Sequence, residues 1–204
     1  MGFYDDRILP HLVEKTCGMP ALRKLRRQAC AGLTGAVVEI GFGSGLNVGL
    51  YPGAVTRISA VEPSDGGWKL AGKRVSEASV PIERAGLDGQ RLPFADNTFD
   101  SALSTFTLCT IPDVAAALAE LRRVVKPGGT VCFLEHGNAP DGKVRRNQRL
   151  LEPIQKRVAG GCHLTRDIPS LLTDAGLTIT GLDQFYAAGA PRPYGAISVG
   201  TATV

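Results

Sequence analysis

An α/β domain built on a mostly parallel sheet is what this sequence predicts, on three observations. Strand-like and helix-like segments alternate regularly from residue 36 onward, with no internal repeat or low-complexity tract. Residues 37–45 read Val-Val-Glu-Ile-Gly-Phe-Gly-Ser-Gly, a β-branched run ending in a glycine turn that should open a helix. Glu62 then closes the next hydrophobic run, seventeen residues after Gly45. In a doubly wound sheet that layout holds a nucleoside, with glycines for close backbone approach and a carboxylate for ribose hydroxyls.

The strands expected are 36–40, 57–61, 82–85, 99–104, 130–135, 178–185 and 196–203. Helices fill most of the gaps. The clearest runs from Asp113 to Val125, with Ala117, Leu118, Leu121, Val124 and Val125 on one face and Glu120, Arg122 and Arg123 on the other. Pro127-Gly128-Gly129 stops it and turns the chain into the next strand. Two stretches break the alternation. Residues 1–34 carry two short helical patterns separated by Gly18-Met19-Pro20, and residues 136–176 exceed what one crossover helix needs. Extra elements at those points commonly cover a ligand, so 1–34 reads as a helical cover and 136–176 as an insert contacting substrate. Thr165 is the expected cap of a helix beginning near Arg166.

At 204 residues and 44% hydrophobic, the chain suits one core, so 1–204 is read as a single domain. No apolar run approaches the roughly 18–20 residues of a membrane span, and a soluble, cytoplasmic protein is expected. Cysteines 17, 30, 109, 132 and 162 form no CxxC pair and read as reduced, mostly buried thiols. Cys162 and His163 adjoin without a third ligand at metal spacing, so no metal is expected. The net charge is a modest +4. Basic clusters at Arg23, Lys24, Arg26 and Arg27, and at Lys143, Arg145, Arg146 and Arg149, lack interleaved aromatics. They read as solvated helix faces, and no nucleic-acid partner is expected.

The glycine spacing selects the nucleoside. A dinucleotide fingerprint is Gly-x-Gly-x-x-Gly, whereas the glycines here stand at 41, 43 and 45, and Gly49 comes too late. Glu39-x-Gly41-x-Gly43-x-Gly45 resembles motif I of the class I S-adenosylmethionine (SAM) methyltransferases. Leu87-Asp88-Gly89-Gln90-Arg91-Leu92-Pro93-Phe94, followed by Asn97-Thr98-Phe99-Asp100, resembles a second stretch of that family, and Lys126-Pro127-Gly128-Gly129 a third. The resemblance covers about residues 36–135. It implies a Rossmann-like, doubly wound, seven-stranded sheet with the last strand antiparallel and helices on both faces. It also implies SAM as cofactor, with Glu62 on the ribose and Asp88 at the adenine amino group. Pro63, Gly89 and Thr105 join these as cofactor-side candidates, and Glu39 is expected to act indirectly, fixing the loop through its backbone amides.

Further along, the resemblance narrows. Phe133-Leu134-Glu135-His136, Gly161-Cys162-His163-Leu164-Thr165-Arg166, Arg192-Pro193-Tyr194-Gly195 and Thr105-Phe106-Thr107-Leu108-Cys109 are similar to stretches of the alkyl thiol methyltransferases of animals. That branch carries an N-terminal membrane anchor, which is not expected here. The implied acceptor is a small, partly apolar molecule, a thiol first. A phenol, amine or quinone-like ring is the alternative acceptor, and a non-catalytic SAM binder the alternative of another class. Methyl transfer is an in-line displacement at a carbon already activated by the sulfonium, so alignment and exclusion of water matter most. His136, directly after the fifth strand, is the candidate general base, and Thr107 is a candidate for shaping the space near the methyl group. Tyr4 is a further cofactor-side candidate, while Trp68 is expected to pack rather than stack on adenine and Cys109 to stay in the core.

Overall fold

The computed structural model describes Tyr4 and residues 7–204. In chain order the elements are α1 (Leu9–Cys17), α2 (Pro20–Cys30), β1 (Gly35–Ile40), β2 (Val55–Val61), α3 (Asp65–Ser76), β3 (Ile82–Gly86) and β4 (Phe99–Thr105). There follow α4 (Val114–Val124), β5 (Val125–His136), α5 (Gly142–Val158), α6 (Ile168–Asp174), β6 (Thr178–Tyr186), α7 (Arg192–Gly195) and β7 (Ala196–Thr203). The strands form one sheet in the order β3-β2-β1-β4-β5-β7-β6. β1 to β5 pair in parallel, and β7 runs antiparallel to both β5 and β6, as the sequence implied.

The central strands are buried on both faces, which a parallel sheet under helices requires. Val38, Ile40, Ala102, Val131 and Phe133 meet Leu118 and Leu121 of α4 and Ile168 and Leu172 of α6. The alternate residues Val37, Leu103, Cys132 and Leu134 meet Ala29 and Cys30 of α2 and Ala71 of α3. Each strand's period-two alternation thus feeds a separate core on each side.

Four local expectations change. No α-helix follows the glycine turn: residues 43–49 form successive turns, closed by Gly45 N–H to the Phe42 carbonyl and Val48 N–H to the Gly45 carbonyl. Gly45 and Gly49 both take positive φ, 75° and 80°, which no α-helix tolerates at that spacing. Asp113 caps α4 through the Ala116 N–H (3.0 Å), and Val125 is already extended, so β5 starts five residues early and carries the Pro-Gly-Gly turn within it. Thr165 does not cap α6; Asp167 does, through the Ser170 N–H, with Pro169 in the first turn. Arg26, read as solvated, is buried. It lies four residues after Leu22 and three before Ala29, on the apolar face of α2.

Candidate cofactor and acceptor site

The carboxyl edge of the sheet carries a cavity of about 680 Å³, within the range of small-molecule sites. The ends of β1, β2, β3 and β4 supply its floor through Gly41–Ser44, Glu62–Ser64, Leu87–Gln90 and Phe106–Pro112. Leu9, Pro10 and Val13 from α1 and Ala159–Gly161 after α5 close the other side. Those two covers touch: the Tyr4 hydroxyl donates to the Val158 carbonyl (2.5 Å). Glu14 anchors α1 to the floor, pairing with Arg74 (2.6 Å) and accepting from the Ser44 hydroxyl. Arg74 in turn donates to the Ser44 carbonyl (2.9 Å).

Glu62 organises the glycine loop. Its carboxylate accepts the Gly43 N–H (2.6 Å) and the Ser64 N–H (2.8 Å), while Ser64 Oγ caps α3 through the Gly67 N–H (3.0 Å). The side chain is buried, which pushes its pKa up, against the Ser64 and Gly43 N–H groups and Arg84, which pull it down. Each carboxylate oxygen keeps a lone pair beyond these bonds. A Cβ placed on Gly43 would meet nothing nearer than the Gly41 carbonyl at 3.9 Å, so that side of the loop is open. Gly41 is different: φ is 67° and a Cβ there would collide with Thr107, so only glycine fits against the β4 end. Across the cavity, Asp88 is exposed and bound by the Gln90 amide and N–H (3.0 and 2.8 Å), which hold its carboxyl below the usual range. Leu87, 60% exposed, and Pro63 give this end apolar walls. Open loop, buried acceptor pair and apolar walls fit a nucleoside carrying a flexible polar tail.

Of the residues singled out from sequence, Gly41, Gly43, Glu62, Pro63, Asp88, Gly89 and Thr107 line the cavity. Gly45, Glu39, Thr105 and His136 stand behind its wall. Among the described residues Glu39 holds no backbone amide, contrary to expectation. It accepts from Asn47 Nδ2 (2.9 Å) and the Tyr51 hydroxyl (2.7 Å), locking the turns that follow the loop. Asn47 also donates to Thr105 Oγ1 (3.0 Å), and Arg26 donates to both Asn47 Oδ1 and Thr105 Oγ1 (2.9 Å each). The Arg26 guanidinium lies 5.3 Å from the ring centre of cavity-lining Phe106. Trp68 packs on Phe42 as expected, their ring centres 5.3 Å apart.

Burial is the largest influence on Glu39 and raises its carboxyl from 4.5 to about 7, against Tyr51, Asn47 and Arg26. The native chain then keeps a proton that the unfolded chain has released, so stability falls as pH rises between 4.5 and about 7. Glu39→Gln is expected to flatten this window, removing up to roughly 3 kcal/mol of pH dependence. Urea unfolding of both proteins at about pH 5 and about pH 8 reads the difference. Parallel curves would show that the dependence arises elsewhere.

Beneath the Phe106–Pro112 wall lie two features the sequence reading did not identify. Glu135, fully buried at the end of β5, accepts from Ser104 Oγ (2.7 Å), the Thr107 N–H (3.0 Å) and the Cys109 N–H (3.4 Å). Its one signal in sequence is an acid closing the apolar run Phe133-Leu134. Arg166 grips the same segment from the other side through the Leu108 and Pro112 carbonyls. The second feature concerns the cysteines, which are free and, except for Cys17, buried as expected. Cys162 finds its neighbours not in His163, which pairs with Glu152 (3.1 Å), but in Cys109 and His136. The two Sγ atoms are 3.6 Å apart, and Cys162 Sγ lies 3.6 Å from His136 Nδ1.

A doubly wound sheet with a glycine loop and a buried acid at its carboxyl edge defines a nucleoside-binding α/β protein of the methyltransferase type. The comparisons agree. Residues 38–133 match the family model described as a methyltransferase domain. Human thiol S-methyltransferase TMT1A is 30% identical over 168 residues, spanning 78% of this chain and 68% of that protein. Rat thiol S-methyltransferase TMT1B is 33% identical over 135 residues, 64% of this chain, and the aligned part spans only 55% of the rat protein's length. A SAM-dependent methyltransferase structure from Thermotoga maritima superposes with a TM-score of 0.68 at 23% identity, covering 95% of this chain and 93% of that one. The chain belongs to the class I SAM-dependent methyltransferases, whose cofactor is SAM.

Proposed function

We propose that the chain transfers the methyl group of SAM to the sulfur of a small, partly apolar thiol. The observation that carries this reading is the extent of the likeness to a thiol S-methyltransferase. It runs over 168 residues and 78% of the chain, well beyond the length of the 38–133 family core. Apolar Leu9, Val13 and Ile111 in the cavity wall suit an acceptor with hydrocarbon character. Among the described residues no helix is long and apolar enough to cross a membrane, and five free cysteines suit a reducing compartment, by our reading the cytoplasm.

SAM brings an electrophilic methyl carbon; the protein's task is to hold it in line and keep water away. In this reading Glu62 takes the ribose hydroxyls, Gly41 and Gly43 lie along the methionine part, and Asp88 with Gly89 and Pro63 receives the adenine. Glu39, Gly45 and Thr105 are positioning residues that act through the loop. His136 is not given the acceptor's proton directly, because its ring is buried beside Cys162 behind the wall. The test is formation of S-adenosylhomocysteine from SAM over a panel of thiols, phenols, amines and quinols. Turnover confined to thiols is the expected result. Turnover confined to another class overturns the acceptor, and tight SAM binding without turnover on any of them identifies a binder.

A further inference from the structure

We propose that Cys109, His136 and Cys162 form a binding site for one divalent, thiophilic metal ion, with zinc as the natural test ion. The three come from separate places: the segment after β4, the end of β5 and the loop between α5 and α6. Each is buried, and one ligand atom from each lies within 4.8 Å of the others. The two short edges, Sγ to Sγ and Sγ to Nδ1, are both 3.6 Å. Tetrahedral zinc with Zn–S near 2.3 Å and Zn–N near 2.0–2.1 Å spans edges of roughly 3.5–3.8 Å between such ligands. The His136 ring turns Nδ1 toward Cys162 Sγ, while Nε2 is buried with no hydrogen-bond partner among the described residues. Two thiolates and a neutral imidazole around a divalent ion sum to zero charge, the condition for placing such a group in a core. Packing of small apolar thiols explains Cys30 and Cys132 equally well, but neither of those has an imidazole beside it.

Three protein ligands leave a fourth tetrahedral position for a water molecule. The cluster sits one residue behind the cavity wall: Cys109 precedes cavity-lining Thr110, and Cys162 follows cavity-lining Gly161. The His163 N–H closes the two segments together on the Cys109 carbonyl (2.8 Å). Resting on the thiol reading above, the ion fastens the wall of the acceptor side through these two segments and takes no part in the transfer itself, since none of its three ligands lines the cavity.

The test uses the full chain, reduced, stripped of metal and titrated with Co²⁺ and then Zn²⁺. The expected result is one Co²⁺ per chain with a thiolate-to-cobalt charge-transfer band, displaced by one equivalent of zinc. Cys109→Ser, Cys162→Ser and His136→Ala should each weaken zinc by at least about 100-fold, beyond the roughly 10–100-fold cost of an outer-shell partner. Circular dichroism of each variant establishes that it is folded. Should Cys162→Ser fail to fold, zinc protection of Cys109 and Cys162 from alkylation in the unaltered chain gives the same reading. A cobalt spectrum without thiolate character, or one unchanged in the Cys109→Ser/Cys162→Ser double variant, overturns the site. Stoichiometric zinc with no turnover of any thiol supports the site and removes the acceptor reading. Thiol turnover by a chain that binds no cobalt does the reverse.

Discussion

Glu62→Ala is expected to weaken SAM binding at least tenfold in isothermal titration, and on the order of 100-fold if both ribose bonds depend on it. A hydrogen bond to an ionised group contributes about 1.5–3 kcal/mol, and about 1.4 kcal/mol is a factor of ten in affinity. The loss has two sources. The variant lacks the acceptor proposed for the ribose, and it releases the Gly43 and Ser64 N–H groups that Glu62 now holds at 2.6 and 2.8 Å. Glu62→Gln separates them. It keeps the side chain's size and one acceptor oxygen but presents a donor where the other oxygen stood, so it should fall between the two. An affinity for SAM unchanged in Glu62→Ala would sink the ribose assignment.

How much of this was legible in the sequence follows from the range of the interactions involved. The central strands were readable because each is a local run of mostly apolar residues bounded by glycine, proline or a polar turn. The glycine loop and Glu62 were readable because the chemistry sits at fixed spacing along one strand–loop–strand segment. The missing helix after β1 was misjudged for a reason visible in retrospect: Gly45 and Gly49 both need positive φ, which overrides the apolar spacing of Phe42, Leu46 and Leu50. Arg26 was misread as solvated because charge was counted along the chain rather than around the helix. Its face is that of Leu22, Ala29 and Cys30, all buried. The Cys109–His136–Cys162 cluster had no spacing to read, since its members come together only when β4, β5 and the α5–α6 loop are assembled. Glu135 belongs to the same category: its three donors arise from residues 26 to 31 positions away.

That remoteness makes Glu135 the residue whose removal should cost the fold most. Glu135→Ala would leave Ser104 Oγ and the Thr107 and Cys109 N–H groups without their acceptor in a region closed to solvent. An unpaired buried donor costs about 1–3 kcal/mol, so a loss of at least about 3 kcal/mol is expected. In a chain of this length that corresponds to a fall in Tm on the order of 10 °C. Glu135→Gln keeps one oxygen that accepts from Thr107 or Ser104 and should lose less than half as much. The order of the two variants carries the argument. If the carboxylate fastens the segment after β4, Ala must be worse than Gln, and both must loosen the wall that holds Phe106, Thr107 and Thr110 against the cavity. Thermal unfolding followed by circular dichroism decides it. Glu135→Ala within about 2 °C of the wild type, less than one such bond is worth in a chain of this length, would mean that Arg166 alone holds this wall through the Leu108 and Pro112 carbonyls.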